Sequence, residues 1–207
     1  MLTQLSVEQF VERLAAATPT PGGGSAAALS GSLAAALVQM VCDLTIGKEG
    51  YQQHEPFLRP IRAQGESLRR ELLTLVDRDA AAYDRVIAAL RLPKAGDAEK
   101  AERKAALGRA NLEATEVPLA AAEACARVLR LSAELLPRGN RNALSDVGTA
   151  AALAVAGLRG GLMNVRINLG GLSDPDRASA IRARAEAIET ESHASETEVA
   201  RGLERHP

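Results

Sequence analysis

A chain of 207 residues, 46% hydrophobic but only 2% aromatic and without Trp, has the size for one domain and builds its core from Ala, Leu and Val. Its 25 Lys and Arg against 26 Asp and Glu leave a net charge of −1, which excludes a global field for nucleic acid or an anionic membrane, so any anion site is local. A core of many shallow contacts holds a lone monomer poorly, so self-association is expected.

Met1 to Phe10 carries Gln4, Glu8 and Gln9 where a signal peptide needs a basic start and an apolar run, and a reducing cytoplasm is the expected location. Ser6 caps a first helix in which Val7, Phe10, Val11 and Leu14 recur at helical spacing, and Thr18-Pro19-Thr20-Pro21 stops it. Gly22-Gly23-Gly24 then form a turn, and Ser25 is placed to cap a second helix from Ala26 to about Ile46. Ser30, Gly31, Ser32 and Gln39 interrupt its apolar run, which reads as a buried core helix and not a membrane span. A long helix follows over roughly Phe57 to Leu90, with Leu68, Leu72, Leu75, Val76, Tyr83 and Val86 or Ile87 as its inward row.

Leu92-Pro93-Lys94 ends that helix, and the next begins near Asp97. Pro118 should kink or divide it before Leu119 to Leu136, and Pro137, Gly139 and Asn140 stop it. Asn142 or Ser145 caps the following helix to about Leu169, whose interior Gly157, Gly160 and Gly161 call for close packing or a bend. Asp174-Pro175 opens a last helix to about Leu203, with a solvated Glu- and Arg-rich face. No stretch alternates as a strand does, so the expected fold is all-α, a multihelical single domain over residues 1–207. Cys42 and Cys125 read as small buried hydrophobes, and with His54, His193 and His206 they are too scattered for a metal cluster. Neither a metal nor another cofactor is expected.

Pro21-Gly22-Gly23-Gly24-Ser25 lies directly before a helix, where free amides and the positive dipole end favour an anion or a developing oxyanion; a plain capping turn has the same sequence. Asp79 and Tyr83, four apart, share a helix face, while Asp77 points elsewhere. With Tyr83 in the apolar row, Asp79 is partly buried, and burial without a cation raises a carboxyl pKa toward the proton-transfer range; a solvated charged face is the plainer alternative, and Asp84 fits it. Lys94, after a rigid turn, suits a ligand carboxylate, a pairing with Asp79, or simply the surface. Asn140 and Ser145-Asp146 lie at a helix start, and Asn164 and Asn168 are four apart in an apolar setting, where buried amides bind a polar heterocycle or satisfy loop backbone.

Taken together, Pro21-Gly22-Gly23-Gly24-Ser25, Val76-Asp77-Arg78-Asp79-Ala80-Ala81-Ala82-Tyr83, Leu92-Pro93-Lys94, Gly139-Asn140 with Ser145-Asp146, and Asn164-Val165-Arg166-Ile167-Asn168-Leu169 resemble the cyclodeaminase/cyclohydrolase family. This is the family of the C-terminal domain of formiminotransferase-cyclodeaminase and of free-standing methenyltetrahydrofolate cyclohydrolases. The five motifs span almost the whole chain in the family's order. The resemblance implies an intertwined homodimer with folate in a cleft near the dimer interface and Asp79 as the catalytic acid/base. Two reactions follow from it: opening of 5,10-methenyltetrahydrofolate to 10-formyltetrahydrofolate, or closure of 5-formiminotetrahydrofolate with loss of ammonia. The hydrolase is favoured because no formiminotransferase domain accompanies these residues; a non-catalytic folate-binding helical dimer is the alternative of a different class. Pro21 to Ser25, Tyr83, Lys94, Asn140, Asp146, Asn164 and Asn168 are the expected substrate-binding residues.

Overall fold

The computed structural model describes residues 1–205; His206 lies outside them. Six α-helices occur among the described residues: α1 (Val7–Ala15), α2 (Gly23–Asp43), α3 (Glu55–Leu90), α4 (Asp97–Leu135), α5 (Leu144–Asn168) and α6 (Pro175–Glu204). Short 3-10 turns stand at Leu2–Gln4, Gln52–His54, Arg141–Ala143 and Leu169–Gly171, and the described residues contain no strand. The fold is all-α.

Helices α2 to α5 form the bundle. Glycines of α2 and α3 mark their antiparallel register: Gly65 lies against Ala35 and Val38, Gly31 against Leu72, and Gly24 against Asp79. Helix α5 runs antiparallel to α2 on its other side, with Gly157 against Ala27 and Gly31 and with Gly23 against Asn164. Helix α4 closes the bundle against α5, where Gly161 meets Pro118 and Ala122, and α6 packs outside on α4 and α5. The close approach expected of the α5 glycines is present: a Cβ at Gly157 would stand 2.7 Å from both Ala27 O and Cys125 Sγ. The fully buried core is aliphatic, with Val38 and Val41 from α2, Leu68 and Leu72 from α3, Leu129 from α4 and Leu162 from α5. Helix α2 has the length and composition of a membrane span, but it is packed between α3 and α5 as the expected core helix. Cys42 and Cys125 are buried and unpaired, and burial pushes both thiols up to about 12, so they stay protonated.

Several boundaries differ from expectation for local reasons. Ser6 caps α1 as anticipated, in a reciprocal box with Gln9 (3.1 and 3.0 Å). Ser25, however, is no cap: Gly22 is, α2 starts at Gly23, and the glycines expected as a turn form its first turn. The helix ends at Asp43 instead of Ile46. Pro118 does not divide the run, since α4 is continuous from Asp97 to Leu135. Proline leaves the carbonyl four residues back without its amide donor, and here Asn168 Nδ2 donates to that oxygen, Ala114 O, at 2.6 Å. Leu68, Leu72, Leu75 and Val76 are buried as expected, but Tyr83 is 41% exposed and Val86 and Ile87 only half-buried. The reason is that α2 stops opposite Asp79, so the row beyond it has no α2 to face. Asn140, and not Asn142 or Ser145, caps the turn that leads into α5, its Oδ1 accepting from Asn142 N at 3.1 Å. Asp174 caps α6 as anticipated, accepting from Asp176 and Arg177.

Candidate active site

Because α2 begins at Gly23 while α3 and α5 run on past it, α2 does not cover their facing sides beyond Asp79 and Asn164, and the exposed Tyr83 and Ile167 border the notch this leaves. Its floor is the first turn of α2. The amides of Gly23 and Gly24 lie there, out of reach of any helical carbonyl, at the positive end of the helix dipole. Asp79 of α3 stands beside this turn. A Cβ at Gly24 would sit 2.1 Å from Asp79 Oδ1, so only glycine admits the carboxylate there. Ser25, fully buried, turns its hydroxyl to α3, with Oγ 2.9 Å from Asp79 Oδ2 and 3.1 Å from Val76 O.

The electrostatics of Asp79 are a contest. Burial raises its pKa, whereas the hydroxyl and backbone hydrogen bonds from Ser25 oppose the rise, and burial wins. No cation pairs with Asp79 among the described residues, as the sequence reading required for a raised carboxyl. Asp79 is half-buried as expected, although Tyr83, whose place in the apolar row was the reason for expecting it, is exposed; the first turn of α2 packs against the carboxyl. A half-buried acid poised above the ordinary carboxylate range, at the edge of an open notch, can both accept and return a proton.

The structure gathers only part of the predicted set here. Pro21 is buried, and Gly22, Gly23 and Gly24 line the floor. Tyr83 follows Asp79 by one turn on α3. Asn164 stands against Gly23 and spends Nδ2 on Gly160 O at 2.8 Å, while Asn168, one turn on, spends its own on Ala114 O. Asp77 does point elsewhere, holding Leu2 N and Thr3 Oγ1, and Asp84, expected to be merely solvated, accepts from Thr20 Oγ1 at 3.2 Å. Both carboxylates tie the N-terminal segment to α3.

Three predicted residues lie apart. Lys94 is exposed in a groove of about 350 Å³ with Lys100, Arg103 and Lys104, and does not pair with Asp79. Asn140 is buried at the C-terminal end of α2, its backbone N–H on Thr45 Oγ1 (2.9 Å) and its Nδ2 on Leu44 O (3.3 Å). Asp146, in the first turn of α5, is at that same end. The 21 residues of α2 separate these two from Asp79 by about 30 Å within one chain. Within one chain the polar atoms of Asn140 are engaged by the segments around it, and the hydroxyl of Ser25 is engaged by Asp79 and Val76. A groove of about 630 Å³ between α4 and α6 is also away from Asp79 and is lined by Leu136, His193 and Arg201 among others.

Sequence reasoning missed Ile167. It continues the Gly160–Asn164 side of α5 one turn past the start of α2 and is 78% exposed, a core-facing position left without its partner helix. The three- and four-residue steps from Gly160 could have shown it, but only once the start of α2 was known.

Comparison with known proteins places this geometry in context. The family model described as formiminotransferase-cyclodeaminase matches residues 6–187. A methenyltetrahydrofolate cyclohydrolase of Methylorubrum extorquens is 46% identical over 169 residues, 82% of this chain and 81% of that protein. The rat formimidoyltransferase-cyclodeaminase is 34% identical over 173 residues; these cover 84% of this chain but only 32% of the rat protein, so the chain spans about a third of its length. The crystal structure of a formiminotetrahydrofolate cyclodeaminase from Thermotoga maritima superposes with a TM-score of 0.87 at 29% identity, covering 99% of this chain and 98% of that one.

Proposed function

The chain belongs to the formiminotransferase-cyclodeaminase family, and from that footing we propose that it hydrolyses 5,10-methenyltetrahydrofolate to 10-formyltetrahydrofolate at the notch beside Asp79. It is an enzyme of folate one-carbon chemistry, as its relatives are. The observation that carries the site is the carboxyl of Asp79, its pKa raised by burial and with no cation paired to it among the described residues, against the first turn of α2, where Gly24 is buried and Gly23 exposed.

The methenyl carbon lies between two nitrogens and carries positive charge, which a carboxylate attracts. As water adds, Asp79 takes its proton, and the new oxygen on the tetrahedral carbon faces the Gly23 and Gly24 amides. The carbon–N5 bond then breaks as Asp79 returns the proton to N5, and the hydroxyl oxygen gives up its remaining proton to solvent as its C=O forms, leaving a neutral formyl group on N10 with one proton released overall. Tyr83 and Ile167 supply apolar walls for the pterin, and the free Oδ1 atoms of Asn164 and Asn168 are acceptors for its edge. Lys94 and its neighbouring cations suit the carboxylates of the glutamate arm.

The cyclodeaminase reading uses the same atoms, with Asp79 protonating the departing amine. It is favoured by the rat relative and the Thermotoga structure, whereas the 46% identical relative favours the hydrolase. Incubation with 5-formiminotetrahydrofolate separates them: the hydrolase reading predicts no catalysed ammonia release, and release at a rate comparable to methenyl hydrolysis would replace it. The working form is a homodimer in a reducing cytoplasm. Supporting this are the two free thiols and an outward row on α2, Leu33, Leu37, Met40 and Leu44, that stays partly or largely exposed in one chain.

A further inference from the structure

Ser25 and Ser32 stand seven residues apart on α2, and each hydroxyl is 3.1 Å from an α3 carbonyl, Val76 O and Arg69 O respectively. The same contact is thus repeated one heptad along an antiparallel helix pair. The two serines differ in one respect: Ser25 Oγ also stands 2.9 Å from Asp79 Oδ2, and Ser32 has no carboxylate beside it among the described residues.

A hydroxyl has one hydrogen, so Ser25 cannot donate to both oxygens at once. When Asp79 is ionised, that hydrogen turns to the carboxylate. When Asp79 is protonated, the acid donates to Ser25 Oγ and Ser25 sends its own hydrogen to Val76 O. Either way the buried hydroxyl and the acid stay satisfied, with no heavy atom moved. We infer that Ser25 is a positioning residue for the proposed reaction, a two-way hydrogen-bond switch that holds Asp79 in one geometry while it takes and returns its proton. The inference rests on Asp79 being the proton-transfer group.

Ser25→Ala and Ser32→Ala test it against each other, since a merely structural hydroxyl predicts the same behaviour from both. In Ser25→Ala the acid limb of the pH–rate profile moves up by about one pH unit, because the carboxylate has lost a donor, and kcat falls with little change in KM. In Ser32→Ala the limb stays in place. Ser25→Cys, which keeps a weak donor and acceptor, restores part of kcat and covers the case of an unstable alanine variant. Titration of the Asp79 carboxyl by NMR, which needs no turnover, shows the same upward shift in Ser25→Ala alone. Identical profiles and titrations for both alanine variants overturn the switch. A wild type that turns over no folate sinks the enzyme reading instead, and the titration still judges the switch.

Discussion

At Asp79 the burial that suits proton transfer works against the fold. Its pKa is raised in the native state, so the unfolded chain ionises first as pH rises. Stability is complete below the ordinary aspartate range and is lost as pH rises through the raised native value. Asp79→Asn removes that loss: the variant should melt no lower than wild type at neutral pH, the difference should close in acid, and folate turnover should be gone. Melting curves across pH, beside a turnover assay, check both halves, and an Asn variant with wild-type turnover refutes the role of Asp79. The half-burial of Asp79 and the free amides at the start of α2 were legible from the sequence because a carboxyl on an apolar face and glycines at a helix start are local patterns. The hydrogen-bond partners of Ser25 and Asn140 were not, because each lies far along the chain, Val76 and Asp79 for one and Thr45 for the other.

Among the elements, the unbroken course of α4 through Pro118 depends on a side chain of α5. Asn168→Ala leaves Ala114 O half-buried without a donor and should cost about 1–3 kcal/mol. In the Pro118→Ala background residue 118 supplies its own amide, so Asn168→Ala should cost much less there. A double-mutant cycle by chemical denaturation measures the coupling, and strictly additive losses would show that Asn168 does not serve the proline. Helix order and most termini followed from spacing and caps, and the exceptions have one character. Pro118 does not divide its helix because a neighbouring helix replaces the missing donor, and α2 starts earlier than its sequence suggests because three glycines look like a turn until α3 is packed against them. Tyr83 was misplaced for the converse reason: periodicity runs on where its partner helix has already ended.

For the whole molecule, the all-α bundle was legible from composition and periodicity, but the sharing of the motifs between its two ends was not. Order along the chain is silent on direction, and antiparallel packing carries Asn140 and Asp146 to the end remote from Asp79. The outward apolar row on α2 is the surface that the homodimer reading needs. Leu33→Glu with Met40→Glu should convert the protein to monomer in light scattering, and an unchanged mass would remove α2 from the interface. The central claim, that this notch opens the methenyl bridge of a folate, is tested most directly by following the methenyl absorbance of 5,10-methenyltetrahydrofolate with wild type and with Asp79→Asn. The account predicts catalysed loss with wild type and, for a folded Asp79→Asn, a fall of about 10²- to 10⁴-fold; loss at the uncatalysed rate with wild type, or at the same fast rate with both, would contradict it.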